Sequence, residues 1–227
     1  RGRSGFDAAQ RASSTRDTSL TWAAGSTPVP MARSSSPRWG KAAEQARVQQ
    51  RTGARILLAL KGFAAWDSFP LLSRAKGHGP LWGTCASSVD EARLGREEFG
   101  GEVHAFAAGW TEEELDELLP LVDHLVFNSL AQWERFGPRV RAWCRDNGRE
   151  ISCGLRINPE HSEGAVAIYN PCSPGSRLGI RPHQLPEKLP EGISGLHFHT
   201  LCEQDADALA VTLDAVADKF GDLLSKM

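Results

Sequence analysis

Six short apolar runs lie between residues 55 and 224, five of them giving way to a segment of helical period, and this alternation constrains the fold more than any single motif. Strands are predicted over 55–61, 81–86, 102–108, 123–128, 150–157 and 193–199, and helices over 41–52, 67–75, 89–99, 112–121, 130–145 and 204–224. Several ends are marked. Ser88 and Thr111 precede acidic first turns as caps, and Gly53 and Gly100 stop the helices before them. Strands separated by helices imply a parallel sheet with right-handed crossovers, either doubly wound or closed as a (β/α)8 barrel. No glycine-rich nucleotide loop follows any strand. Lys61, Ser87, Asn128, Arg156 and His199 instead fall at or near strand C-termini, the rim on which barrel enzymes place their chemistry. The expected fold class is therefore α/β, an incomplete (β/α)8 TIM-type barrel of about six βα units.

Charge narrows the function classes. Residues 1–53 carry nine basic and three acidic side chains, against 17 and 25 in the remainder. An acidic body argues against nucleic acid as a partner, because phosphate binding needs clustered Lys and Arg. No stretch reaches the ~18 consecutive apolar residues of a membrane span, so no membrane partner is expected. Five scattered cysteines (85, 144, 153, 172 and 202) without a CxxC pair point to reduced thiols and a cytoplasmic location. The chain opens on Arg1, and residues 1–43 are rich in Arg, Ser, Ala and Gly without periodicity. They read as a disordered or atypical segment ahead of one folded domain over 44–227. Their basic, Ser-rich composition also fits a transit peptide, but Pro28, Pro30 and Pro37 and the lack of an amphipathic face disfavour it.

Three segments carry candidate chemistry. Lys61 follows the run Ile56-Leu57-Leu58-Ala59-Leu60, where burial would lower its pKa and leave a nucleophilic amine. Such an amine can hold an aldehyde cofactor as a Schiff base; the plainer reading is a lysine just past a strand, snorkelling to solvent. In Gly195-Leu196-His197-Phe198-His199, alternation puts both histidines on one face, opposite Leu196 and Phe198. They can be core histidines, ring-stacking groups, or metal ligands completed by Cys202 or Glu203. Between the fifth and sixth strands, a connection of over 30 residues contains Tyr169-Asn170-Pro171-Cys172-Ser173-Pro174-Gly175-Ser176-Arg177-Leu178-Gly179. A loop of that length in a compact domain is usually functional.

These segments, with Leu58–Phe63, Ser87–Gly95, Phe127-Asn128-Ser129, Leu155–Pro159 and the continuation to Glu203, closely resemble carboxynorspermidine (carboxyspermidine) decarboxylase, of the alanine-racemase-like fold shared with ornithine and diaminopimelate decarboxylases. The resemblance covers about 44–224. It implies pyridoxal 5'-phosphate as cofactor, Lys61 as the lysine that binds it covalently, and His199 as the histidine stacked on its ring. It places Arg156 close to the cofactor and Ser88 and Glu91 in a motif beside it, although Glu91 also suits helix capping. Tyr169, Asn170 and Arg177 become substrate-loop candidates, and no metal site is implied. The implied reaction removes the α-carboxylate of a polyamine precursor as carbon dioxide, in a cytoplasmic homodimer that makes spermidine or norspermidine. The family's glycine-rich phosphate-binding strand and its C-terminal β-domain find no counterpart here, so the chain is expected to be a fragment without robust activity of its own. The alternatives are a diaminopimelate- or ornithine-type decarboxylase and a non-catalytic barrel that binds pyridoxal phosphate.

Overall fold

The computed structural model describes residues 37–227 except Ala165 and Glu203. It contains a six-stranded parallel α/β sheet in the order β1 to β6, a partial barrel. The strands are β1 (Leu57–Ala59), β2 (Gly83–Ala86), β3 (Glu102–Phe106), β4 (His124–Phe127), β5 (Ser152–Arg156) and β6 (Ile193–His197). The helices are α1 (Pro37–Thr52), α2 (Phe69–Leu72), α3 (Val89–Leu94), α4 (Glu112–Leu118), α5 (Leu130–Asn147) and α6 (Ala206–Leu224). Each expected element is present, and the boundaries differ in informative ways. Helix α1 starts at Pro37 rather than Lys41, so the segment expected to be irregular over 1–43 is helical at its end, and residues 1–36 lie outside the described residues. The helix expected over 89–99 changes winding, because Gly95–Phe99 forms a π-turn before Gly100 reverses at φ 74°.

The chain divides into two compact bodies. One runs to Leu125 and includes Arg149–Ile151; the other comprises Val126–Gly148 and Ser152–Met227. In the first, β1, β2 and β3 pair in parallel with Ala59 level with Cys85 and Cys85 level with His104. Alternation therefore sends Leu58, Thr84, Val103 and Ala105 to one face and Ala59, Cys85, Glu102 and His104 to the other. The former face is sealed: Thr84 and Val103 are fully buried, and Leu60, Phe69, Leu81 and Phe99 form a cluster beside it. The Phe69 and Phe99 rings meet edge to face at 5.1 Å. Helix α3 is capped by Ser88, whose hydroxyl accepts the Glu91 N–H, and α4 by a reciprocal box between Thr111 and Glu114.

In the second body, β5 pairs with β6 so that Leu155 is level with Leu196 and Arg156 with His197. Ile157, Val216 and Phe220 bury together, and Leu196 and Phe198 pack against them. That contact fixes the register, because a one-residue slip would turn both histidines into the core. Helix α5 carries Trp133 and Phe136 against Phe127 and ends at Gly148, whose φ of 60° is the left-handed cap.

Candidate active site

Lys61 is not at the end of a buried strand. Strand β1 stops at Ala59, and Lys61 lies in the turn that follows, where the Gly62 and Phe63 N–H groups both donate to the Ala59 carbonyl. Leu60 is buried beside that turn, and Lys61 is exposed. Ala59, the last residue of β1, is level with Cys85. The positive amine acts on the Cys85 thiol: enclosure on the sheet face pushes the thiol up to about 11, against the opposing pull of Lys61. Although Cys85 keeps solvent contact, it stays a neutral thiol and does not compete with the lysine as an ionised nucleophile near neutral pH. Among the described residues, Lys61 has no ion-pair partner. An amine uncommitted in this way fits covalent attachment of an aldehyde.

Ser87, Ser88 and Glu91 form a single knot at the end of β2. Glu91 Oε2 accepts from the Ser87 N–H at 2.7 Å and from the Ser87 hydroxyl at 2.9 Å, while Ser88 Oγ accepts from the Glu91 N–H. The Glu91 carboxylate therefore shapes the turn that leads into α3.

Lower on the same face lies a group that the sequence reading did not single out. Glu102 Oε2 is 3.2 Å from His104 Nε2, and Glu102 Oε1 accepts from Arg55 Nη1. The His124 ring stacks on that of His104 with centroids 3.9 Å apart. Burial pushes the Glu102 carboxyl up, but the His104 hydrogen bond and the Arg55 charge outweigh it and hold the carboxyl below its ordinary value. Burial and the neighbouring His104 bring His124 down to about 4. The sequence signal available for this cluster is Glu102-Val103-His104, two polar residues on one face of an otherwise apolar strand.

In the second body, Arg156 is buried at the end of β5 and donates from Nη2 to the His199 carbonyl at 3.1 Å. Burial lowers its pKa, and only the Cys172 thiol opposes that. His197, the last residue of β6 and level with Arg156, is half-buried, and His199, beyond the strand end, is exposed. The metal alternative at this pair called on Cys202 or Glu203; Cys202 is exposed, and Glu203 lies outside the described residues.

The long connection is anchored at four places. Asn128, buried at the end of β4, donates Nδ2 to the Arg177 carbonyl at 2.9 Å and accepts the Gly179 N–H on Oδ1 at 2.9 Å. Ile180 pairs with Ile157 as an extra bridge. Arg181 donates to the Ser173 and Pro174 carbonyls and pairs with Glu160. Asn158 donates to the Pro171 carbonyl at 3.4 Å. Gly179 has φ 81° where a Cβ would come within 2.8 Å of the Ile157 carbonyl group, so only glycine closes this anchor. Of the three loop candidates, Tyr169 is 79% exposed and Arg177 is exposed, whereas Asn170 turns inward and accepts the Cys172 N–H. Sequence reasoning missed Arg181 and Asn158. Both are ordinary polar residues whose role depends on the folded path of the loop.

No protein-family model matches the chain. Over 181 residues it is 42% identical to carboxyaminopropylagmatine decarboxylase of Synechocystis, covering 80% of this chain and 44% of that protein. Over 182 residues it is 37% identical to carboxynorspermidine/carboxyspermidine decarboxylase of Campylobacter jejuni, again covering 80% and 44%. The crystal structure of the C. jejuni carboxynorspermidine decarboxylase, complexed with norspermidine, superposes with TM-score 0.69 at 34% identity over 84% of this chain and 46% of that one. Diaminopimelate decarboxylase of Helicobacter pylori matches at TM-score 0.60 and 16% identity over 82% of this chain and 49% of that one, a likeness of fold alone. The chain thus spans under half the length of the relatives it matches. Over that segment it is homologous to the carboxy(nor)spermidine decarboxylases, as the motif resemblance implies.

Proposed function

We propose that this chain supplies part of a pyridoxal 5'-phosphate-dependent decarboxylase that converts carboxynorspermidine or carboxyspermidine to norspermidine or spermidine and carbon dioxide. The observation that carries the reading is Lys61: an uncommitted amine just past a strand's C-terminal end, in a segment homologous to decarboxylases. The cofactor, when bound, supplies the electron sink that lets an α-carboxylate depart. Lys61 Nζ is the atom that attaches it. His199 offers its ring to the cofactor, and Arg156 fixes that residue's backbone from beneath. Ser88 and Glu91 set the turn beside the site, and the anchored loop presents Tyr169 and Arg177 to the substrate. The same reading makes the protein cytoplasmic and homodimeric. Among the described residues, no helix is long and apolar enough to cross a membrane.

A second substrate, carboxyaminopropylagmatine, has the 42% identity in its favour. Supplying both precursors to an active preparation and comparing the rates of carbon dioxide release separates the two. The test of the core reading is chemical. When the chain is incubated with pyridoxal 5'-phosphate and reduced with borohydride, cofactor mass should accumulate on Lys61 first. Preferential labelling of Lys76 or Lys188 overturns the assignment.

A further inference from the structure

The proposed chemistry leaves unused the polar cluster on β3 and β4. Glu102 and His104 stand two residues apart on one strand and so share a face, and His124 opens the next strand with its ring on that of His104. One ligand atom from each of the three lies within 4.8 Å of the others. We propose that Glu102, His104 and His124 bind a divalent transition-metal ion, of which zinc is the type, as a site separate from Lys61.

The donor set selects the ion. Two imidazoles and one carboxylate are the borderline ligands of zinc, whereas calcium and magnesium take oxygen alone. Bonds of about 2.0–2.2 Å bring ligand atoms roughly 3.3–3.5 Å apart in a tetrahedron. The Glu102–His104 pair, at 3.2 Å, is already at that spacing. The ligand atoms of all three residues already lie within 4.8 Å of one another, so closing on an ion takes side-chain adjustment alone. All three residues are strand residues, so no loop must be ordered for the site to close. Arg55 does not displace the ion, because it holds Oε1 of Glu102 and leaves Oε2 toward the histidines. It serves as the outer partner that fixes the carboxylate's orientation. Three protein ligands leave a fourth position for water. Strand order separates the site from the proposed chemistry: its residues lie on β3 and β4, whereas Lys61 follows β1.

The experiment is a titration of the chelator-treated chain with Zn²⁺, and with Co²⁺, whose visible absorption reports tetrahedral nitrogen and oxygen ligation. One ion per chain is expected, with affinity falling at least tenfold in Glu102→Gln and in His124→Ala and holding in His199→Ala. Because a ligand variant can misfold, the unmodified chain provides a second reading. Saturating Zn²⁺ should protect His104 and His124 from diethyl pyrocarbonate while exposed His78 and His183 still react. Absence of stoichiometric binding overturns the site. So does binding that survives Glu102→Gln and His124→Ala together, or unchanged labelling of His104 and His124.

Discussion

The two bodies hold their candidate residues in opposite ways. Lys61 is exposed in a turn, held only through the backbone hydrogen bonds around Ala59. Arg156, Asn128 and Asn158 are buried, and each is tied by its side chain to the backbone of another segment. The difference teaches a division of labour. A group that must form and break a covalent bond has to be reachable and uncommitted, whereas groups that fix a ring or a loop work by being immobile. Stability should then concentrate in the second set and reactivity in the first.

The largest expected effect tests this split directly. Arg156→Ala removes a charge-assisted hydrogen bond from a buried site and leaves the His199 carbonyl without that donor, at a cost of about 2–3 kcal/mol. Lys61→Ala, at an exposed turn, should change stability by less than about 0.5 kcal/mol while abolishing borohydride-fixed cofactor at that position. Urea denaturation of both variants gives the contrast. A loss in Lys61→Ala comparable with that in Arg156→Ala would break it.

Asn128→Ala should come next. It deletes both hydrogen bonds to the 177–179 backbone from a buried position, costing about 2 kcal/mol. Because the anchor is local, limited proteolysis should open the chain between 170 and 178 before global unfolding. Asn128→Asp keeps an acceptor for Gly179 but loses the donor to Arg177, so it should fall between the two. Equal protease resistance in all three proteins would show that Arg181 and the Ile157–Ile180 bridge suffice alone.

A pH experiment sharpens the comparison between the two thiols. Cys85, with Lys61 beside it, is raised to about 11, and Cys153, buried in β5, to about 12. For Cys153 burial is the main cause, with Cys144 adding to it and Arg141 opposing. A thiol raised in the folded state favours the fold fully below its unfolded value of about 8.5 and loses that contribution as pH climbs toward the folded value. Between pH 8 and 10 the chain should therefore lose about 2 kcal/mol through Cys153, and Cys153→Ala should flatten that part of the profile. An unchanged slope in the variant would mean that the thiol is not desolvated.

How much of this was legible depends on the range of the interaction. The six strands and the helices between them follow from alternation and local caps, and the packing of Leu196 and Phe198 on the core follows from the apolar pattern around His197. Lys61's exposure was misread, because an apolar run does not say which of its last two residues turns inward; Leu60 did. Arg181, Asn158 and the meeting of His124 with His104 depend on loop path and strand register. Both are settled by contacts between segments distant in sequence. Ser88 shows the opposite limit, since its cap on the Glu91 N–H was visible from adjacent residues, whereas the Glu91 carboxylate reaches past the N-cap to Ser87 and leaves the box half-formed.

The smallest effect probes whether the local signals weigh equally in the two bodies. Thr111 caps α4 with a full reciprocal box, and its hydroxyl accepts the Glu114 N–H at 3.1 Å while Glu114 accepts the Thr111 N–H at 2.9 Å. Ser129 caps α5 through its hydroxyl alone, and the Gln132 side chain reaches past it to the Asn128 N–H. Thr111→Ala should cost about 1 kcal/mol. Ser129→Ala removes a cap of the same strength, but it also loosens the turn that positions Asn128, so protease sensitivity of the 170–178 loop should rise with it. Thr111→Ala should leave that loop untouched. If both variants lost the same stability and neither altered the loop, Asn128 would be held by its own hydrogen bonds and not by the helix start beneath it.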